Sequence, residues 1–340
     1  MKRSEKDEKF AAHLPGVLQY HYTMLDDGLR NELIYKALVE NVSENTSFLD
    51  IGAGTGVWAI VAAKLGAKRV VAVEIEESLI PIIYKTALEN GVADRIEIIH
   101  GNSDHVKLRG KFDVIVSELF GGDAFGKETI QSYIDVRRRF LAPNGVLIPQ
   151  KMSMLAVPVR IEPPISSIPN GLDIKLEFFK QIRQNYGHSF SVAERENIEF
   201  LAEPATLVEV DFRTIEEPPS LTDLTAVWQM KDIRRANAIL SFSHSTFTDT
   251  IAMDAFRSQS WGVNVSDFTP FDLGEGELRY NVTMDAQKGN WSVCVPSDPQ
   301  TKTQSFSPVF AFSRIRMAQQ LTPHRRYKAP AAEKKSKQKK

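Results

Sequence analysis

Between residues 48 and 149, short apolar runs alternate with stretches in which apolar positions return every three or four residues. Phe48, Leu49 and Ile51 make the first run, which ends in Gly52, Gly54 and Gly56. Val57 to Leu65 then has helical spacing, and Val70 to Val73 is a short buried strand closed by Glu74. Ser78 to Asn90 reads as a helix stopped by Asn90-Gly91, and Ile96 to Ile99 as a strand. Phe112 to Val116 is another strand, Ile130 to Leu141 a helix, and Ala142 to Pro149 a turn and strand that leave the unit. Upstream, Leu29, Leu33, Ile34, Ala37 and Leu38 place one helix over His21 to Val42, with Arg30 left beside the glycine turn. Strands alternating with helices in this way predict a parallel sheet covered by helices.

The pattern changes after Pro149. Met152–Val159, Leu207–Phe212, Thr225–Trp228, Ala238–Phe242, Arg279–Met284 and Trp291–Val295 are short β-rich runs separated by Pro, Gly and Asp, which predicts a barrel or sandwich. Residues 163–200 offer no strand partner and carry Leu176, Phe178, Phe179 and Ile182, so they read as an inserted helical excursion that needs a surface to bury against. The expected organisation is a flexible leader over 1–20, a first domain over 21–149, a second over 150–320 and a basic disordered tail over 321–340.

Composition narrows the class. The 340 residues exceed the usual size of one domain, and 42% hydrophobic with 25% charged residues is ordinary for a water-soluble chain. No stretch is long and apolar enough to cross a membrane, and MKRSEKDEKF lacks the apolar core of a secretory signal. A single cysteine, Cys294, excludes an internal disulfide and a cysteine-built zinc site, and the histidines show no metal-ligand spacing. A cytoplasmic or nuclear location is expected. The net charge of −1 argues against broad capture of nucleic acid, yet the end, from His324-Arg325-Arg326 to KKSKQKK, is basic. That tail reads as a solubilising segment, a contact for RNA or an acidic partner, or an import signal.

The chemistry gathers at the glycine turn. Three alternate glycines let the backbone turn sharply and approach a ligand. A dinucleotide site would show G-x-G-x-x-G, whereas Gly52, Gly54 and Gly56 are spaced G-x-G-x-G with Asp50 just ahead. An extra carboxylate repels a pyrophosphate and suits an ammonium-bearing ligand, which favours S-adenosylmethionine. Glu74, at the end of the second strand, is placed to accept ribose hydroxyls. Asp104 follows in a loop where it could accept from an adenine amino group. The fourth strand brings Ser117 and Glu118 to the carboxyl edge of the sheet, where ligands of open α/β sheets sit.

These motifs together resemble the protein arginine methyltransferase family, from about His21 to about Phe310. HYTMLDDGLR looks like the family's cofactor-covering helix, with His21, Met24 and Arg30 at family positions; the family's arginine there meets the cofactor carboxylate. LDIGAGTG matches the glycine motif, Glu74 the ribose acid and Asp104 the adenine-side acid. SELFGG resembles the start of the loop with two catalytic glutamates, LAPNGVLIP the strand closing the domain, and NYGHSFS lies where the family has its dimerisation arm. The resemblance implies a Rossmann-like S-adenosylmethionine-dependent methyltransferase domain followed by a β-barrel domain with an inserted helical dimerisation arm. It implies a ring-shaped dimer, and a cofactor held by Met24, Arg30, Asp50, Gly52, Gly54, Gly56, Glu74 and Asp104.

The same resemblance shows three departures. A substrate guanidinium stays protonated and is a poor nucleophile, so two carboxylates grip it and aim one nitrogen at the methyl group. The family's second glutamate lies nine residues after the first, and nine residues after Glu118 comes Lys127, with Glu128 one later. Ser260, in Gln259-Ser260-Trp261, stands where the family has histidine. HLPGVLQYH lacks the family's lid aromatics. Three readings follow. One is an impaired, prozyme-like subunit that pairs with an active arginine methyltransferase. Another is an active divergent enzyme, as a homodimer, that uses Glu118 with Glu128 on protein substrates. The third is a scaffold that contacts RNA.

Overall fold

The computed structural model describes residues 5–119, 124–161, 187–190, 198–284, 290–297 and 303–306. The chain opens with helix α1 (Glu5–Leu25) and helix α2 (Gly28–Asn41). The single helix expected over 21–42 is therefore two, and the leader expected over 1–20 is mostly the first part of α1. Asp27 makes the break: it is the N-cap of α2, and its carboxylate accepts from the Arg30 backbone N–H.

Next come strand β1 (Ser47–Ile51), helix α3 (Val57–Lys64), strand β2 (Arg69–Glu74), helix α4 (Ile80–Glu89), strand β3 (Ile96–His100) and strand β4 (Phe112–Ser117). Helix α5 (Lys127–Phe140) and strand β5 (Leu141–Ile148) complete the unit. The five strands are parallel, in the order β3-β2-β1-β4-β5. Every residue of β1 is buried, as a central strand covered on both faces requires. On one face Phe48, Val70 and Val114 pack with Ile34 and Leu38 of α2, Ala59 and Ala62 of α3 and Ile83 of α4. On the other, Leu49, Val71 and Ile115 pack with Ile130, Tyr133 and Ile134 of α5 and with Met152, Met154 and Phe212 from beyond the sheet.

Beyond Pro149 the strands pair antiparallel. Strands β6 (Lys151–Ile161), β7 (Gly187–Phe190), β8 (Ile198–Phe200), β11 (Ala238–Thr246) and β13 (Val263–Asp267) form a sheet in the order β7-β13-β11-β6-β8, with β9 (Ala205–Asp211) on β6 and β12 (Ala252–Asp254) on β11. Strands β10 (Leu224–Met230), β14 (Gly276–Thr283), β15 (Asn290–Cys294) and β16 (Gln304–Phe306) form the other. Ala156 and Ile239 of the first sheet pack with Trp228, Leu278, Tyr280, Trp291 and Val293 of the second. The expected β-rich unit is thus present, with β7, β12 and β13 added to the runs visible in the sequence. Of the stretch expected to be a helical arm, the described parts are strands: β7 pairs with β13 and β8 with β6. The rest of that arm and the basic tail lie outside the described residues. No described helix is long and apolar enough to cross a membrane.

Candidate functional site

Strand β1 has β2 on one side and β4 on the other, and the carboxyl ends of these three strands form the switch point of the sheet. Gly52, Gly54 and Gly56 follow β1 with φ of 69°, 57° and 81°, left-handed values that disfavour any side chain. A cavity of about 580 Å³ opens here, within the size range of small-ligand sites. Its walls include Met24, Arg30, Asp50, Gly52, Gly54, Glu74 and Glu118 from the residues singled out in the sequence.

The acids at the turn hold its backbone. Glu74 Oε2 accepts from Gly54 N at 2.7 Å and its Oε1 from Glu76 N at 2.8 Å, so the carboxylate faces the glycine turn. Asp50 Oδ2 accepts from Ala59 N at 3.0 Å, and burial raises its pKa to about 7, with the Glu74 charge adding to the effect. Such a group gains most from a cationic ligand, which restores its ionised form. His21 covers the turn: a Cβ on Gly54 would lie 2.7 Å from His21 Cε1. Burial lowers the pKa of His21, partly offset by the Glu74 charge, so the ring is neutral at physiological pH. Leu119 covers Gly52 in the same way, at 2.6 Å from a built Cβ. The turn is close-packed by these two side chains, and the cavity extends beside it.

Arg30 and Glu118 meet at the inner wall, both almost fully buried, at 4% and 8% exposed. Arg30 Nε donates to Glu118 Oε1 at 2.6 Å and Nη2 pairs with Oε2, a bidentate match of fork to carboxylate. Arg30 Nη1 donates to Met24 O at 3.1 Å and to Asn31 Oδ1 at 2.6 Å. Burial lowers the Arg30 pKa to about 10, which leaves it cationic at neutral pH. Trp261 Nε1 also donates to Glu118 Oε1, at 3.1 Å.

Four groups behind this wall were weak or invisible signals in the sequence. Asp27 is fully buried, and its Oδ2 accepts from Ser258 Oγ at 2.5 Å, Gln259 N and Ser260 N at 2.9 Å and Ser260 Oγ at 2.8 Å. Burial opposes its ionisation, yet the hydrogen bonds from Ser258 and Ser260 prevail and hold its pKa below the usual carboxylate range. Helix α1 forms the outer wall through His13, Val17 and Tyr20, where the sequence indicated only a missing aromatic lid. Trp58 lies under the Arg30 guanidinium, its ring centre 5.8 Å away. Trp261 reads from sequence as core, and here it hydrogen-bonds Glu118.

Three expected site residues lie elsewhere. Gly56 does not border the cavity; it opens α3 in a left-handed conformation against Ile83. Asp104 is exposed and accepts from Ser132 Oγ at 3.1 Å, away from the cavity walls. Glu128 is exposed in the first turn of α5, the position where a carboxylate suits the helix dipole. Among the described residues, none supplies a second carboxylate beside Glu118 from the α5 end, and no group of acids, histidines and cysteines could hold a metal ion. The residues present fit S-adenosylmethionine in their donor set, with a buried cation for its carboxylate, acids for its cationic and ribose groups, and a glycine turn for close approach.

Comparison with known proteins agrees with this geometry. The family model "Ribosomal protein L11 methyltransferase (PrmA)" matches residues 32–148, which spans the parallel sheet. The chain is 33% identical over 157 residues to "Ribosomal protein arginine N-methyltransferase rmt3" of Schizosaccharomyces pombe, covering 45% of this chain and 28% of that protein. It is 28% identical over 226 residues to "Probable protein arginine N-methyltransferase 6" of Arabidopsis thaliana, covering 64% and 51%. The chain thus spans about a quarter to a half of the length of these curated relatives. In fold it resembles a chain of the "Trypanosoma brucei PRMT1 enzyme-prozyme heterotetrameric complex with AdoHcy", with a TM-score of 0.69, 21% identity, and 84% of this chain and 97% of that chain covered. Arabidopsis thaliana protein arginine methyltransferase 10 is similar at a TM-score of 0.67 and 18% identity, covering 86% and 99%. With the glycine turn, the ribose-side acid and a parallel sheet followed by antiparallel sheets all in family order, the chain belongs to the protein arginine N-methyltransferase family.

Proposed function

We propose that the chain binds S-adenosylmethionine in the cavity under α1 and is, by itself, an impaired methyltransferase that serves as the regulatory subunit of an active paralogue. The observation that carries this reading is the state of the carboxylates: Glu118 is paired with Arg30, and Glu128 is exposed on α5 outside the cavity. Bound S-adenosylmethionine would supply an electrophilic methyl group. Arg30 would hold its carboxylate, Asp50 and Glu74 its ammonium and ribose sides, and Met24 and His21 would cover it. What the chain lacks is a second grip on an incoming guanidinium.

The cost of that lack can be estimated. Leaving a buried charge half-paired costs about 3–5 kcal/mol, which slows a reaction on the order of a hundred- to a thousand-fold. The test is transfer of a labelled methyl group to an arginine-rich peptide, by the chain alone and mixed with an active family member. The expected result is turnover at least about a hundred-fold below that of the active enzyme alone, and a rise in the partner's rate on mixing. Robust turnover by the isolated chain, abolished in Glu128→Gln, would instead identify an active enzyme with Glu118 and Glu128 as its clamp, acting on arginines such as those of RNA-binding proteins.

The partner reading has its own support. A groove of about 610 Å³ runs over α2, α3 and α4, lined by Leu25, Tyr35, Val57, Ile60, Val61 and Ile82. The residues 163–186 carry enough apolar side chains to fill such a groove on another subunit. The Trypanosoma brucei neighbour is titled an enzyme–prozyme heterotetramer.

A further inference from the structure

The Arg30–Glu118 pair leaves neither member free for a ligand. A guanidinium carries five N–H groups. Nε is given to Glu118 Oε1, Nη1 to Met24 O and Asn31 Oδ1, and Nη2 is paired with Glu118 Oε2. Glu118 in turn holds Arg30 by both oxygens and accepts from Trp261. The carboxylate that would grip a substrate guanidinium already grips one, the chain's own.

Burial makes this pair hard to open from one side. If a ligand carboxylate took Arg30 alone, Glu118 would be left as an uncompensated buried charge; if a ligand guanidinium took Glu118 alone, Arg30 would be stranded. Only exchange of both partners leaves every charge paired. Resting on the cofactor reading above, we infer that Arg30 and Glu118 couple two subsites: a guanidinium binds well only when a carboxylate-bearing ligand is bound at Arg30, and the reverse holds equally. Such coupling is reciprocal and is typically worth roughly 5- to 150-fold in affinity.

Calorimetric titration of the full chain tests this. The guanidinium probe is N-acetyl-Gly-Arg-Gly-amide, titrated alone, with saturating S-adenosylhomocysteine, and with saturating 5′-methylthioadenosine, which has the adenosyl thioether and no carboxylate. The expected result is a roughly 5- to 150-fold tighter probe with S-adenosylhomocysteine and no such gain with methylthioadenosine. Arg30→Met should bind the probe more tightly without any nucleoside and should lose the response to S-adenosylhomocysteine. If that variant fails to fold, the comparison of the two nucleosides on the unaltered chain still decides. Equal effects of the two nucleosides, no effect of either, or no probe binding in any state would overturn the coupling. Failure of S-adenosylhomocysteine to bind at all would overturn the cofactor reading, and the coupling with it.

Discussion

Asp50 is the residue whose charge state the fold controls most directly. Its pKa is raised to about 7 by burial, against an ordinary 3.8, so the folded state holds a proton that the unfolded chain releases. The stability this gives is fully present below about pH 4 and is lost as the pH rises through about 7, a change on the order of a few kcal/mol. Asp50→Asn keeps an acceptor for Ala59 N and removes the titration. The variant should melt at the same temperature as the native chain near pH 4 and at a higher one at pH 8, as followed by scanning calorimetry. It should also bind S-adenosylmethionine more weakly, because the anion facing a cationic ligand is gone. Asp50 and Glu74 could be picked out in the sequence because a glycine turn between two apolar runs fixes where both carboxylates must lie. The Arg30–Glu118 pair could not, since 88 residues separate the two and only the sheet brings them together.

Among the elements, the segment after β12 matters most. Residues 258–261 belong to the antiparallel half of the molecule, yet they are bound to the cap of α2 through Asp27 and to the end of β4 through Trp261 and Glu118. Asp27→Ala removes the helix cap, worth about 1 kcal/mol, and strands the Ser258 and Ser260 hydroxyls with the Gln259 and Ser260 N–H groups, at about 1–3 kcal/mol for each that finds no water. A loss of about 3 kcal/mol or more is expected in urea unfolding, and Asp27→Asn, which keeps one acceptor oxygen, should lose less. Equal midpoints for native and Asp27→Ala would show that the clasp holds nothing. The central strands were legible because β1, β2 and β4 are buried on both faces and leave unbroken apolar runs. Helix α1 was not: Pro15 and Gly16 read locally as breakers, while the structure carries the helix through both. Strand β13 (Val-Asn-Val-Ser-Asp) was missed because it is short and mixed, and its pairing with β11 and β7 is a long-range choice.

Across the whole molecule, the apolar surface is unevenly placed. Helix α2 turns Ile34, Ala37 and Leu38 into the core while Tyr35 and Val39 stay 47% and 49% exposed, and Tyr84 and Leu88 of α4 are exposed beside them. An amphipathic surface helix ordinarily shows polar residues on its outer face, so this stripe over α2 and α4, bordering the groove of Tyr35, Ile60 and Ile82, calls for a covering partner. Burying each such side chain contributes about 1.5–3 kcal/mol, so two of them decide whether an assembly forms at working concentrations. Tyr35→Asp combined with Val39→Asp changes two outward positions and leaves the inward face of α2 intact, so the chain should keep its far-ultraviolet circular dichroism and melting temperature. Light scattering should then show the native chain as a dimer, or as a larger assembly with an active arginine methyltransferase, and the double variant as a monomer in both settings. The partner's rate in the mixture should fall back to its value alone, because an impaired subunit can act only through what it binds. A double variant that still assembles would move the interface off α2, and a native chain that stays monomeric in both settings would remove the regulatory-subunit reading itself.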